Sequence, residues 1–125
     1  MMTATRVNWS DFLELNPISI AMYTPGEPGI YRLSYLDTVT RARHVFLVGQ
    51  ANDLRQSLKE LFLKKGVNQC AADKMSKERC YFRYAVLHDE AERLGALRSM
   101  YDRFMPECND PQSIPDVAPL PINMD

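Results

Sequence analysis

The side chains best suited to chemistry in this chain are few and scattered. Three cysteines (Cys70, Cys80, Cys108) and two histidines (His44, His88) have the donor atoms of a metal site. Zinc is held by Cys and His ligands at short, paired spacings, and no C-x-x-C pair occurs here. An odd cysteine count without tight pairing does not read as a disulfide framework either. Reduced, partly buried thiols are the expectation, and the two histidines read as surface residues. Nothing in the chain suggests a nucleotide-binding loop, a serine triad, a flavin site or a membrane-surface helix.

Charge offers a second kind of chemistry. From Arg41 to Arg83 there are ten basic and four acidic residues, a local charge of +6 in a chain whose net charge is −1. Basic residues gathered on one face bind phosphate. Arg41, Arg43, Arg55, Lys59, Lys74 and Lys77 are the candidates for such contacts. The same pattern also fits a solvated helix and loop. The whole chain lacks the strongly basic balance of a dedicated nucleic-acid binder.

These residues need a scaffold. A length of 125 residues, 46% apolar and 25% charged, fits one soluble globular domain with a real core. No apolar run reaches the roughly 18 residues that span a bilayer. Met1 to Trp9 has no apolar stretch like that of a signal peptide, so a cytoplasmic location is expected.

The pattern along the chain divides it into three parts. Residues 1–24 carry enough apolar side chains for a short helix and an extended piece packed on the body. In Thr24 to Gly29, prolines preset φ and glycines permit positive φ, so a turn is expected. Ile30 to Asp37 alternates as a strand, and polar residues 38–43 read as a hairpin loop. Val45 to Val48 is a continuous β-prone run, as in a strand covered on both faces.

Asn52 or Asp53 can cap a helix whose stripe is Leu54, Leu58, Leu61 and Phe62. That helix should stop at Lys64-Lys65-Gly66. Residues 67–79 read as a polar, basic loop, and Cys80 to Leu87 as a third strand. Asp89 can cap a last helix with the stripe Ala91, Leu94, Leu97, Tyr101 and Phe104, ended by Pro106. Residues 110–125 hold four prolines and no periodicity, which suggests a flexible or loosely docked tail. The expected class is α+β, a small, mainly antiparallel three-stranded sheet flanked by helices.

Three motifs in this order resemble those of GIY-YIG nucleases. Pro28-Gly29-Ile30-Tyr31 is similar to the family's P-G-[VI]-Y opening. Leu47-Val48-Gly49-Gln50-Ala51-Asn52-Asp53-Leu54 is similar to Y-[IV]-G-x-[AS]-x-x-L. Phe104-Met105-Pro106-Glu107-Cys108-Asn109 resembles the closing aromatic-x-P-x-x-N. The resemblance covers residues 25–109. It implies a phosphodiesterase chemistry in which a tyrosine network activates water, a glutamate on the last helix holds one divalent metal, and an arginine on the first helix stabilises phosphate charge.

Carried over residue by residue, most of that chemistry is missing. Tyr31 is the one retained catalytic candidate. Leu47 replaces the tyrosine of the second motif, and Ser57 stands at the arginine position. Arg55 is two residues away, which is about 200° of helix rotation. Counting back from Pro106 and Asn109 reaches Leu97 at the metal glutamate, and a leucine binds no hard cation. Glu90 lies two turns away, and Glu92 is off the face. Gly29, Gly49, Pro106 and Asn109 read as structural motif residues.

Two functions follow. The first is a catalytically inactive GIY-YIG-like domain that binds nucleic acid, DNA or RNA, or a protein partner, with no metal and no cofactor. The alternative is an active endonuclease with a rearranged site built from Tyr31, His44 or His88, and Glu90, using Mg2+ or Mn2+.

Overall fold

A computed structural model describes residues 5–63 and 68–124 of the chain. In chain order it contains β1 (Leu13–Glu14), α1 (Pro17–Tyr23), β2 (Gly29–Leu36), β3 (Arg43–Ala51), α2 (Leu54–Leu63), α3 (Gln69–Lys77), β4 (Cys80–Val86) and α4 (Glu90–Phe104), then a single 3-10 turn (Pro111–Ser113). The sheet has the order β1-β4-β2-β3, and every pairing is antiparallel. The class is α+β, as the sequence suggests, with one strand more than the three expected. β1 is only two residues long, too short to show any alternation.

Period-2 alternation in the strands sorts the core into two layers. Tyr31, Leu33 and Tyr35 of β2 join Leu47, Phe82, Leu58 and Ala71 on the face covered by α1, α2 and α3. Ile30 of β2 joins Val48, Ala85, Ala96, Leu97 and Met100 on the face covered by α4 and the terminal segments. A register shift between Leu33 and Ser34 makes Phe46 the extra residue of β3. The bulge therefore sends Phe46 and Leu47 to the same layer, which a strictly alternating strand would not do.

The helices follow their caps. Asp53 starts α2 by accepting the Gln56 amide at 3.0 Å, and Leu54 and Leu58 are buried. The expected stop at Lys64-Lys65-Gly66 lies outside the described residues. Asp89 caps α4 at the Glu92 amide, 2.9 Å. Met105 closes α4 in the left-handed conformation, with φ 45°, just before Pro106. The face that α4 buries is set by Arg93, Ala96, Leu97 and Met100, whereas Ala91 is exposed, so the expected stripe is off centre. The expected positive-φ glycines in the 24–29 turn do not occur. Among the described residues, positive φ belongs to Arg41 (64°) and Met105.

Three expectations need correction. Residues 69–77, read as loop, form α3, capped by Asn68 accepting from the Ala71 amide at 3.0 Å. Only Ala71 and Ala72 of this helix are buried, so no apolar stripe announces it. Cys70 and Cys108, read as reduced thiols, form a disulfide across 38 residues. α3 is what carries Cys70 to the segment after α4. Cys80 remains a free, buried thiol, pushed up to about 11 by burial.

The third correction concerns the segment after residue 110, which is anchored to the body at Ile114 and over residues 120–124. Ile114 and Ile122 are buried in the α4 layer. The Leu120 amide donates to the Gly95 carbonyl at 3.0 Å, and Thr5 pairs with Pro121 and Ile122. Asn123 exchanges two side-chain hydrogen bonds with the backbone of Val7. A Cβ on Gly95 would meet the Leu120 Cβ at 2.9 Å, so the glycine gives this segment its close approach. Prolines hide such docking from the sequence, because they break periodicity without preventing isolated apolar anchors.

Candidate functional site

Tyr31 lies on β2 with its ring over Gly49 of the neighbouring β3, its direct cross-strand partner. A Cβ at Gly49 would collide with the Tyr31 Cζ and hydroxyl. Gly49 is thus required by space, since its φ is not positive. Burial pushes the Tyr31 phenol up to about 12. A general base needs the opposite shift.

The other positions reached through the family motifs divide between the two layers. Leu47 is buried beside Tyr31 in the layer under α1, α2 and α3. Leu97 is 8% exposed and packs in the layer under α4, on the other face of the sheet. Arg55 turns toward the 24–25 turn, where its Nε donates to the Thr24 carbonyl at 2.8 Å. Glu90 and Glu92 sit in the first turn of α4. His44 pairs with Tyr35 in the register of β2 and β3, whereas His88 follows the far end of β4. The two histidines therefore stand at opposite ends of the sheet. His44 stacks on Tyr35 at 5.1 Å, and His88 faces Glu27 at 3.7 Å.

The divalent metal implied by the resemblance needs hard oxygen ligands. Leu97 supplies none. Among the described residues, no three His, Cys, Asp or Glu side chains come together as a cation site. The donor set does not fit such an ion.

Two side chains act as clasps. Asn109 exchanges two hydrogen bonds with Val48: its Oδ1 accepts the Val48 amide at 2.9 Å, and its Nδ2 donates to the Val48 carbonyl at 2.8 Å. The Cys108 amide donates to the Phe46 carbonyl, so residues 108–109 cover the exposed edge of β3. Sequence reasoning missed Arg93, which is buried on α4. Its guanidinium donates to Gln50, Asn52 and the carbonyls of Leu87 and His88. The unusual sign was an arginine on the buried face of a helix.

The six basic candidates do not form one surface. Arg55 and Lys59 line a small apolar cleft against α1. Arg41 is exposed on the hairpin turn, and Lys77 is exposed at the end of α3. Lys74 is ion-paired with Glu107 at 2.9 Å, which raises its pKa, and it lies 5.0 Å from the Tyr35 ring. Arg43 faces an open groove of about 430 Å³ between the hairpin end of the sheet and the end of α4. Arg32, His44 and Arg103 also line it, as do Phe12, Tyr35 and Phe104.

Arginines and rings alternate beside this groove. Arg43 lies 3.9 Å from the centre of the Phe12 ring and 5.2 Å from that of Tyr81. Arg83 lies between Phe12 and Trp9, and Arg32 between Trp9 and Phe104. Arg32 and Arg83 are cross-strand partners on the same sheet face. The sequence signal was the alternation of Arg32 with Tyr31 and Leu33. The aromatic partners of Arg32 come from residue 9 and from α4, far away in sequence.

No protein-family model matches the chain, and no curated protein is similar to it in sequence. Solved structures are similar in shape. The magnesium-bound GIY-YIG N-terminal endonuclease domain of UvrC from Thermotoga maritima superposes with a TM-score of 0.55 at 18% identity, over 74% of this chain and 93% of that one. Two tyrosine point mutants of that domain, each bound to its catalytic divalent cation, give 0.56 at 18% and 16% identity, over 75% of this chain and 94% of theirs. The fold is GIY-YIG-like. In this GIY-YIG-like fold the first motif opens β2, the second runs from β3 into α2, and the third closes α4. No helix among the described residues is long and apolar enough to cross a membrane.

Proposed function

We propose that this chain is a GIY-YIG-like domain that binds nucleic acid without cutting it. One observation carries the reading: Tyr31 and Leu97, the two positions the family chemistry would join through water and metal, pack on opposite faces of the sheet. A carboxylate restored at Leu97 would enter an apolar layer, not a cleft shared with Tyr31. The groups of a hydrolytic site act as a unit, so losing the metal ligand and the arginine removes nearly all of the rate. The raised phenol of Tyr31 weighs against the alternative of a rearranged endonuclease.

Support for nucleic-acid binding comes from the cationic groove and from the likeness to an endonuclease domain. The test is incubation with supercoiled DNA, branched DNA and structured RNA in Mg2+ or Mn2+, alongside Tyr31→Phe, with binding measured in parallel. The expected result is binding that weakens steeply with salt and no nicking. Metal-dependent nicking that vanishes in Tyr31→Phe would restore the endonuclease. Salt-insensitive behaviour with no nucleic-acid affinity would leave a protein-interaction role.

A further inference from the structure

We infer that the groove bounded by Phe12, Arg43 and Arg103 is a binding site for a single-stranded segment of nucleic acid. This deepens the proposed function and rests on it. The site lies at the hairpin end of the sheet and takes residues from both faces: Arg32 from the face that carries Arg83, and Tyr35 from the face of Tyr31 and Leu33.

Three observations point to this ligand. The first is charge. Arg32, Arg43, His44 and Arg103 line the groove against one carboxylate, Glu107, which is engaged by Lys74 at 2.9 Å. Arg32 is buried and donates to the Met124 carbonyl, and His44 faces Asp37 at 4.0 Å, so the exposed cations are Arg43 and Arg103. Arg103 is exposed and, among the described residues, has no ion pair. An anionic ligand is the complement.

The second is the exposed rings. Phe12 is 42% exposed, an unusual position for a phenylalanine that could have turned into the core. Arg43 lies 3.9 Å and Arg83 4.5 Å from the centre of the Phe12 ring. These guanidinium contacts hold the ring in place at the surface. Tyr35 and His44, stacked at 5.1 Å, offer a second aromatic surface in the same groove.

The third is size and accessibility. A groove of about 430 Å³ is in the range of sites for compact ligands, and it admits a base with its phosphate. A duplex offers its stacked bases only by their edges. Aromatic faces beside arginines therefore select bases that are unpaired and can stack. The backbone phosphates would lie on Arg43 and Arg103, with a base on Phe12.

The test uses the full chain and fluorescence polarisation with a labelled oligothymidylate of about twelve nucleotides, and a duplex of the same length. Phe12→Leu keeps apolar bulk but removes the ring, Arg103→Ala removes the exposed cation, and Met22→Ser on exposed α1 is the control. The single strand is expected to bind about tenfold more tightly than the duplex. Phe12→Leu should weaken it about tenfold with the salt dependence unchanged. Arg103→Ala should weaken it and lower the salt slope by about one. Met22→Ser should bind as the parent does. Circular dichroism checks that each variant is folded. Equal affinity for duplex and single strand, with no effect of Phe12→Leu, would overturn the site and leave the proposed function standing. Absence of binding to any nucleic acid overturns both. Displacement of the strand by a polyglutamate peptide at equal concentration would reassign the groove to an acidic protein.

Discussion

Replacing Tyr31 by phenylalanine separates a structural tyrosine from a catalytic one. The Tyr31 phenol is pushed up to about 12 by burial, against an ordinary tyrosine value of about 10. At pH 8 only about one molecule in 10⁴ would carry the phenolate, too few for an efficient base. The same shift affects stability. A phenol whose folded pKa is raised contributes fully below the unfolded value of about 10, and the contribution disappears as pH rises through about 12. Between these limits the unfolded chain gives up a proton that the folded chain keeps. At pH 11 the wild type should lose about 1.4 kcal/mol relative to pH 9 through this group alone. Tyr31→Phe has no such proton and should not show that part of the loss. Urea unfolding of both proteins at pH 9 and pH 11 gives the difference directly. The difference in phenolate absorbance between the two proteins on alkaline titration should have its midpoint near 12. A midpoint below 10 would refute the reasoning, because it would reveal a positive field at Tyr31 and bring the working base back.

Asn109→Ala removes both hydrogen bonds to Val48 and leaves a buried edge-strand amide and carbonyl without them; urea unfolding should register a loss of about 2–4 kcal/mol. Cys70→Ser opens a covalent loop of 38 residues, for which chain entropy gives about 4 kcal/mol of destabilisation. Thermal melts of that variant and of the wild type in reductant should coincide. Gly49→Ala drives a methyl into the Tyr31 ring at a cost of about 1–3 kcal/mol. Adding Tyr31→Val should recover part of that loss, and purely additive effects in denaturant melts would show that the two residues do not touch.

The sequence by itself determined the elements whose own residues carry the signal. β2 shows in the alternation from Tyr31 to Tyr35, α2 in the spacing of Leu54, Leu58 and Leu61, and α4 in Asp89 at its start and Pro106 at its end. In each case one face is repeatedly apolar at a fixed period, or a cap is provided locally. The motifs around Tyr31 and Gly49 sit on those elements, so the GIY-YIG-like arrangement was legible as well.

Tertiary structure decided what depends on partners distant in sequence. α3 buries only two alanines, so its helix is not visible as a pattern. The pairing of Cys70 with Cys108 requires that helix to be in place. The docking of residues 110–124 rests on single anchors such as Ile122 and on the space above Gly95. The candidate groove is assembled from Phe12, the β2-β3 hairpin and the end of α4 with the residues after it, none of which signals binding alone. The opposite-face packing of Tyr31 and Leu97 is likewise a fact of three dimensions. Local periodicity reports which side of an element is buried, but not which other element buries it.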